Sequence, residues 1–458
     1  VDYCTCMNVP ERFRWVPLTA WLAVFAVLLI GVGYWVDRRF YGHLIGSFTA
    51  LFGVYLVVVR FESLLLGGMT WKQVLGLGLL LRLVMVVGTP NLSDDWYRFL
   101  WDGMLVDLGI HPFLYTPREA VALFSLPSYH IDLFGGLNSP DYHTVYPPLS
   151  QVFFWLSIWL GGGDWKAALL VLKLMVWAGE AFTMVALGLF LREVHGGWER
   201  KGLVWYAFNP LVILETVGNV HFEGMMAGFL VMCCWALQVG RVRLAAFLWA
   251  SAVSVKLLPL LLLPGILAWL GKKRGLLFAG VGAVSLLVYF FPLVRVSVLQ
   301  HMMFSVGLYF GQFEFNACFY YIGSYGARLL TGWHEGRLVS PLLAATTLSI
   351  GLCFSILIYR RGNFGMAQLQ SSFLILWTVY LLNSAAVHPW YILLPFTLSL
   401  GTGLMYPFVW TWLVYFSYSH YEGGVYKEHF EWIVFEYCTL LMVLWKDIWK
   451  YRQRVAYD

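Results

Sequence analysis

From residue 15 to residue 445 the chain is a succession of apolar runs joined by short polar or basic connections, a pattern that leaves few folds open. The runs cover 15–36, 42–59, 72–89, 165–191, 202–218, 222–240, 275–294, 340–359, 370–387, 389–406 and 407–420, with a shorter one at 434–445. Inside hydrocarbon every backbone N–H and C=O must find its partner within the protein, so a spanning segment is a helix or a strand of a closed barrel. Barrel strands would show as alternating segments of about ten residues. These runs are instead continuous and rich in leucine, which predicts helices. A chain of 458 residues holds roughly 11 to 13 transmembrane helices of about 20 residues each. The expected fold class is therefore an all-α polytopic membrane protein, with residues 1–458 as a single integral membrane domain.

Composition narrows the function. Charged residues make up 12% of the chain and hydrophobic ones 60%, against roughly 25% charged in a soluble domain. The net charge of +5 comes from short basic clusters between apolar runs and forms no stripe, so no nucleic-acid partner is expected. Seven cysteines, an odd count with one Cys4-x-Cys6 pair, give neither a disulfide framework nor a zinc site. The run from Trp15 to Val36 is long enough to span and lacks a small-residue cleavage site, so it reads as a first helix and not as a cleavable leader.

Lysine and arginine near helix ends set the orientation. Arg12 and Arg14, Arg241 and Arg243, Lys272 to Arg274, Arg360 and Arg361, and the tail Lys446 to Arg454 are placed in the cytoplasm. With the N-terminus inside, the third run emerges on the outer face, periplasmic in a bacterium or luminal in an endoplasmic reticulum. The polar loop 90–146 then lies outside, and so does the segment 296–338, whose aromatic part from Phe304 to Tyr321 is expected along the interface. Two segments do not fit a plain crossing. Residues 147–160 are short and begin with Pro147-Pro148, which suits a re-entrant or interfacial helix. Residues 244–271 are broken by Pro259 and Pro264, which suits a hairpin carrying Lys256 towards its tip.

The outer loop opens with Asn91-Leu-Ser-Asp-Asp-Trp-Tyr-Arg-Phe-Leu-Trp-Asp-Gly103, a polar island with an adjacent carboxylate pair directly after an apolar run. Asp94 and Asp95 repel when both are ionised, which raises one pKa towards the range of a general base or invites a divalent cation such as Mg or Mn. The competing role is a helix cap, with Ser93 or Asp94 starting a helix over Asp95 to Val106. Asp102 follows at i+7 and i+8 and shares a face with the pair. Arg98, at i+3 and i+4, is expected in an ordinary intrahelical ion pair, with a phosphate contact as its functional alternative. His111-Pro112-Phe113, Tyr115-Thr116-Pro117 and Tyr146-Pro147-Pro148 are turn-forming, and they either shape a substrate rim or pack the loop.

Lys256 stands alone among apolar residues, so it needs a buried anion, such as a lipid-linked phosphate, or a route to the interface. Glu215, His221 and Glu223 gather at an outer helix junction and are available to hydrogen-bond a polar substrate. Glu180 sits alone within a run and is expected to pair internally. Phe313-Glu-Phe-Asn316 and His388-Pro-Trp-Tyr391 put Asn316, His388, Trp390 and Tyr391 among aromatics. That setting suits either a sugar ring or an interfacial aromatic belt.

With these residues in view, the sequence resembles a known family. The paired Asp, a further Asp two turns on and the Tyr115-Thr-Pro117 turn resemble the first luminal loop of the mannosyltransferase that adds the first mannose to glycosylphosphatidylinositol, and of its prokaryotic relatives. Val255-Lys-Leu-Leu-Pro259, Phe313 to Tyr321 and His388 to Pro395 continue the likeness in the same order. Where eukaryotic members have Asp-x-Asp, the acids here are adjacent, and by its distance to Asp102 it is Asp94 that matches the family's first Asp.

The resemblance implies a GT-C-type bundle with a large first outer-face loop. It also implies a polyprenyl-phosphate-linked sugar donor, a lipid or glycan acceptor, and inversion at the anomeric carbon. Asp94, with Asp95, would deprotonate the acceptor while Lys256 and Arg98 meet the departing phosphate. The substrate-binding set is then Arg98, Asp102, Tyr146, His221, Glu223, Lys256, Asn316, His388, Trp390 and Tyr391, in a bacterial inner membrane with the site facing the periplasm. A transporter or flippase of lipid-linked sugars also buries charge along a pathway and stays open as the alternative.

Overall fold

The computed structural model describes residues 11–293, 296–332, 336–362 and 364–457, so Cys4 and Cys6 lie outside the described residues. Among those residues the chain is helical without a strand, and one isolated β-bridge joins Phe315 to Ala386. The helices track the apolar runs. Residues 15–36 fall in Glu11–Ile30 and the π-turn Gly31–Trp35, 42–59 in Tyr41–Arg60, and 165–191 in Trp165–His195.

Among the described residues, five helical segments are long and apolar enough to cross a bilayer: Pro17–Trp35, Tyr41–Arg60, Trp165–His195, Leu258–Phe290 and Leu338–Arg361. A sixth is a broken pair, Pro210–Gly218 and Glu223–Gln238, bent by 111°. The protein is thus an all-α polytopic membrane protein. Other expected runs are divided or end early. Residues 72–89 stay helical only over Trp71–Leu83, and 389–420 resolves into Pro389–Ile392, Leu393–Ser399, Tyr406–Leu413 and the first part of Val414–Gly424. Such interruptions are tolerated in a membrane protein where neighbouring helices bury the freed backbone groups.

The Trp165–His195 helix gives the molecule its axis, since 31 residues span about 45 Å at 1.5 Å per residue. Its Trp165 ring stacks on Trp96 at 5.6 Å, beside the polar loop. At its far end His195 meets Gln370 at 2.6 Å, and Gln370 donates to the carbonyls of Leu398 and Leu400. Ion pairing of Arg200 with Glu62 at 2.9 Å joins helix Glu199–Ala207 to the short helix Glu62–Leu65. Along the axis, Glu180 pairs with Arg82 at 3.0 Å and accepts from Tyr206, the internal pairing expected for it. Lys173 donates to the carbonyls of Met85 and Gly88, tying down the chain just before the polar loop.

Helix Asp95–Asp107 runs one residue beyond its predicted end. It lies against Pro148–Gly161 so closely that a Cβ on Gly103 would stand 2.3 Å from the Phe154 carbonyl oxygen. Helix Pro148–Gly161 has Pro147 as its N-cap and leads through Gly162 and Gly163 into Trp165–His195. The segment 244–271 is a hairpin as expected. Val242–Val255 stops at Lys256, a 3-10 turn covers Leu258–Leu262, and the following helix breaks at Gly271, whose φ of 68° is open to glycine. In segment 296–338, helices Val296–Gln312 and Phe319–Thr331 flank Phe313–Cys318, while 333–335 lie outside the described residues.

Candidate functional site

A cavity of about 610 Å³ opens at the polar-loop end of the molecule. Seven separate stretches of chain line it: Arg38, Leu92 to Arg98, Asn138 to Pro147, Lys256 to Leu258, Ser305 with Phe313 and Phe315, Tyr380 with His388 to Tyr391, and Tyr418 to Tyr426. Of the residues expected at the site, it brings together Asp94, Asp95, Arg98, Tyr146, Lys256, His388, Trp390 and Tyr391.

The two acids are treated differently. Asp94 precedes the Asp95–Asp107 helix but makes no capping hydrogen bond; Ser93 Oγ accepts from the Asp95 backbone N–H instead. The Asp94 carboxylate is ion-paired with Arg38. Asp95, in the first helical turn, accepts from Asn138 Nδ2 and from the Tyr146 hydroxyl, each at 3.3 Å. Burial pushes its carboxyl above the usual aspartate range, and the neighbouring Asp94 charge pushes the same way. Lys256 and the two hydrogen bonds pull it down, by less. Desolvation outweighs them because it disfavours the ionised form outright.

Five charged side chains line the cavity, and four of them are in ion pairs. Arg38 holds Asp94, Arg98 holds Asp102 at 2.8 Å, and Lys256 holds Glu223. Among the described residues, Asp95 is the cavity acid left outside an ion pair. Lys256 projects from the break after Val255, with its ammonium 5.5 Å from the centre of the Tyr391 ring. Glu223 is the buried anion that this lysine requires.

Four expected substrate contacts sit behind the cavity wall. Asp102 is fully buried and takes Arg98 Nε on one oxygen and Gln151 Nε2 at 3.0 Å on the other. It does not line the cavity with Asp94 and Asp95, because Arg98 reaches forward along the helix to it and Gln151 takes its other oxygen. The guanidinium also donates to the carbonyls of Ser139 and Tyr142, so this pair fastens the loop. His221 is buried and stacks on Trp390 at 3.7 Å, in the 111° bend where Val220 adopts a φ of 67°. Glu223 lies on the far side of Lys256. Asn316 donates to Glu436 at 3.1 Å and accepts from the Tyr437 hydroxyl at 2.7 Å, with a φ of 49° that asparagine tolerates better than most residues. Glu215 accepts from Tyr418 at 2.8 Å and from Asn219 at 3.1 Å.

The two aromatic motifs meet. Phe315 donates to the Ala385 carbonyl at 3.0 Å and accepts from the Val387 N–H at 2.8 Å. This pairing lays Phe315 on His388 at 4.5 Å, and His388 lies parallel to Trp390 at 4.5 Å. The result is a layered wall of Phe315, His388 and Trp390, backed by His221. Opposite demands shape the turns: Thr116 and Glu119 form a reciprocal cap on Pro117–Leu123, and His111 reaches the Pro292 carbonyl at 3.3 Å. Both turns serve packing and neither lines the cavity.

Arg38, Asn138, Tyr421 and Tyr426 are cavity residues that sequence reasoning missed. Arg38 had a signal: an Arg38-Arg39 pair follows the first run, on the face that the positive-inside pattern leaves poor in cations. Asn138 and the tyrosines had none, being ordinary loop residues.

The site does not fit a divalent cation. Mg²⁺ demands near-octahedral oxygen ligands, whereas the Asp94 carboxylate is engaged by a guanidinium and Asp95 faces two N–H or O–H donors. No group of three or more His, Cys, Asp or Glu among the described residues is arranged to hold a metal ion.

An acid-lined cavity with an aromatic wall, at one end of a polytopic helical bundle, is the setting of a membrane glycosyltransferase. The family of alpha-(1->6)-mannopyranosyltransferases (MptA_B family, N-terminal domain) matches residues 18–272, more than half of the chain. The chain belongs to that family. The matched region holds Arg38, Asp94, Asp95, Tyr146 and Lys256, while the layered wall from Phe315 and His388 lies beyond it. No curated protein matches the sequence.

Proposed function

We propose that the protein transfers a hexose, mannose as in its family, from a polyprenyl-phosphate donor to a lipid-linked or envelope-glycan acceptor, with inversion and within a GT-C-type bundle. The observation that carries this reading is that, among the described residues, Asp95 alone of the cavity's charged groups is spared an ion pair, in a cavity whose Lys256 lies within electrostatic reach of it. Asp95 takes the proton of the acceptor hydroxyl as that oxygen attacks the anomeric carbon. The bond from that carbon to the phosphate oxygen breaks, and its electron pair leaves with the phosphate. Lys256 has three N–H donors and spends one on Glu223, which leaves two for the departing phosphate. The aromatic wall packs the C–H face of a sugar ring. Asp94, expected from the resemblance to act as the base, is the weaker candidate because its carboxylate is already held by Arg38.

The basic connections near His195, Arg200 and Arg241 lie away from the cavity end, which supports a cytoplasmic side for them and a periplasmic site in a bacterial inner membrane. Family membership favours transfer over the transporter alternative. The test is turnover of a short-chain polyprenyl-phosphate mannose by purified full-length protein with octyl mannoside as acceptor. Wild type forms a dimannoside, and Asp95→Asn does not. Undiminished product from Asp95→Asn removes the assignment.

A further inference from the structure

Arg38 is held by three partners from two separate segments of chain at the rim of the cavity. Its guanidinium pairs with Asp94, donates to the Leu92 carbonyl at 3.2 Å and lies 4.7 Å over the Tyr421 ring. The next residue fixes the connection from both directions. The Arg39 carbonyl accepts from the Gly423 N–H at 3.0 Å, and the Arg39 side chain folds back on Asp37 at 2.6 Å. A guanidinium pinned in this way is a planar cation of fixed position and fixed charge.

Two adjacent carboxylates cannot both ionise cheaply in a half-buried site, and proteins relieve the repulsion with a proton, a metal ion or a side-chain cation. Here the cation is built in. We propose that Arg38 is a positioning residue that stands at the Asp94–Asp95 pair in the role of a divalent cation, clamping Asp94 and cancelling its charge so that Asp95 alone faces the acceptor hydroxyl. The Leu92 carbonyl bonded to the same guanidinium ties this clamp to the turn that starts the Asp95–Asp107 helix, so the orientation of Asp95 is set through Arg38. The poor fit of the donor set to a metal ion follows from the same arrangement. The inference rests on the reading of Asp95 as the base, and the experiment keeps the two apart.

Full-length enzyme is assayed with short-chain polyprenyl-phosphate mannose and octyl mannoside, with chelator or with added Mg²⁺ or Mn²⁺, for wild type, Arg38→Met, Arg38→Lys and Asp95→Asn. Wild-type turnover is equal in all metal conditions. Arg38→Met lowers kcat roughly 10- to 100-fold, as a misplaced catalytic group does. Its donor KM stays within about threefold of wild type, because the loss is not one of ground-state binding. Arg38→Lys recovers part of the loss, and low-millimolar guanidinium ion raises Arg38→Met but not Asp95→Asn. Loss of wild-type activity in chelator with recovery on Mg²⁺ overturns the proposal. A raised donor KM at unchanged kcat does so as well, since Arg38 would then be a phosphate contact. If Arg38→Met does not fold, Tyr421→Leu carries the test: a several-fold lower kcat supports the clamp, and wild-type kcat rejects it. An active Asp95→Asn sinks the base assignment, whatever the Arg38 variants do.

Discussion

Arg98 reaches forward to Asp102 at 2.8 Å and leaves the two acids behind it, Asp94 and Asp95, to other partners. Removal of one member of a buried pair strands the other charge, at a cost of about 3–5 kcal/mol. Asp102→Ala should therefore destabilise the protein by about that amount, read as a lower denaturation midpoint in detergent or nanodisc. Because Arg98 also secures the Ser139 and Tyr142 carbonyls, limited proteolysis should cut the 136–146 loop faster in the variant. A variant as stable as wild type would mean that the pair is dispensable.

The two acids should part company in turnover. Asp95→Asn is expected to lose at least about 100-fold in kcat, the usual contribution of a general base. Asp94→Asn keeps a hydrogen-bond acceptor for Arg38 and should lose less. Equal losses would point to a shared role, and a larger loss at Asp94 would reverse the assignment.

The pH dependence has a defined sign. The folded-state pKa of Asp95 is raised, chiefly by burial, so its ionisation costs folding energy once the pH climbs through that raised value. Two consequences are measurable. The acid limb of kcat/KM should lie above the ordinary aspartate range, since the base must be ionised. Asp95→Asn should be more stable than wild type at neutral pH, with the gain disappearing as pH falls below the ordinary aspartate pKa. A stability gain that grew on acidification would contradict the raised value.

Lys256 and Glu223 couple the hairpin break to the 111° bend. Lys256→Met alone should destabilise the protein and raise donor KM. Lys256→Met with Glu223→Gln should recover stability but not donor affinity, with a coupling of about 0.5–3 kcal/mol in a double-mutant cycle. Additive stability losses would show that the pair is not coupled.

Much of this fold was legible because bilayer-length apolar runs and proline breaks are local signals. Helix Asp95–Asp107 was placed to within a residue, and the hairpin around Lys256 followed from Pro259 and Pro264. The break between the runs 202–218 and 222–240 was legible as a polar junction, but its 111° angle was not, because it depends on Val220 at positive φ and on burial by distant helices. At the site, the polar residues could be picked out as unusual, but not which way they face. Asp102 has the spacing to join Asp94 and Asp95, yet Arg98 and Gln151 draw it into the core. Asn316 sits among aromatics as a sugar contact would, yet Glu436, 120 residues later, claims its amide. Such choices are made by partners far away in sequence, and no spacing rule reaches them.

The bridge between Phe315 and the 385–387 backbone has a consequence for how a substrate gets in. Because the N–H and the C=O of Phe315 both bond to that strand-like segment, the aromatic wall is tied to the chain that follows helix Val296–Gln312. Ser305, inside the cavity, and Met303 and Phe304, exposed on the outside, ride on that helix just before the stitch. A ligand entering on this side would therefore meet a wall stitched in place, beside a helix that turns Ser305 towards the cavity and Met303 and Phe304 towards the surroundings.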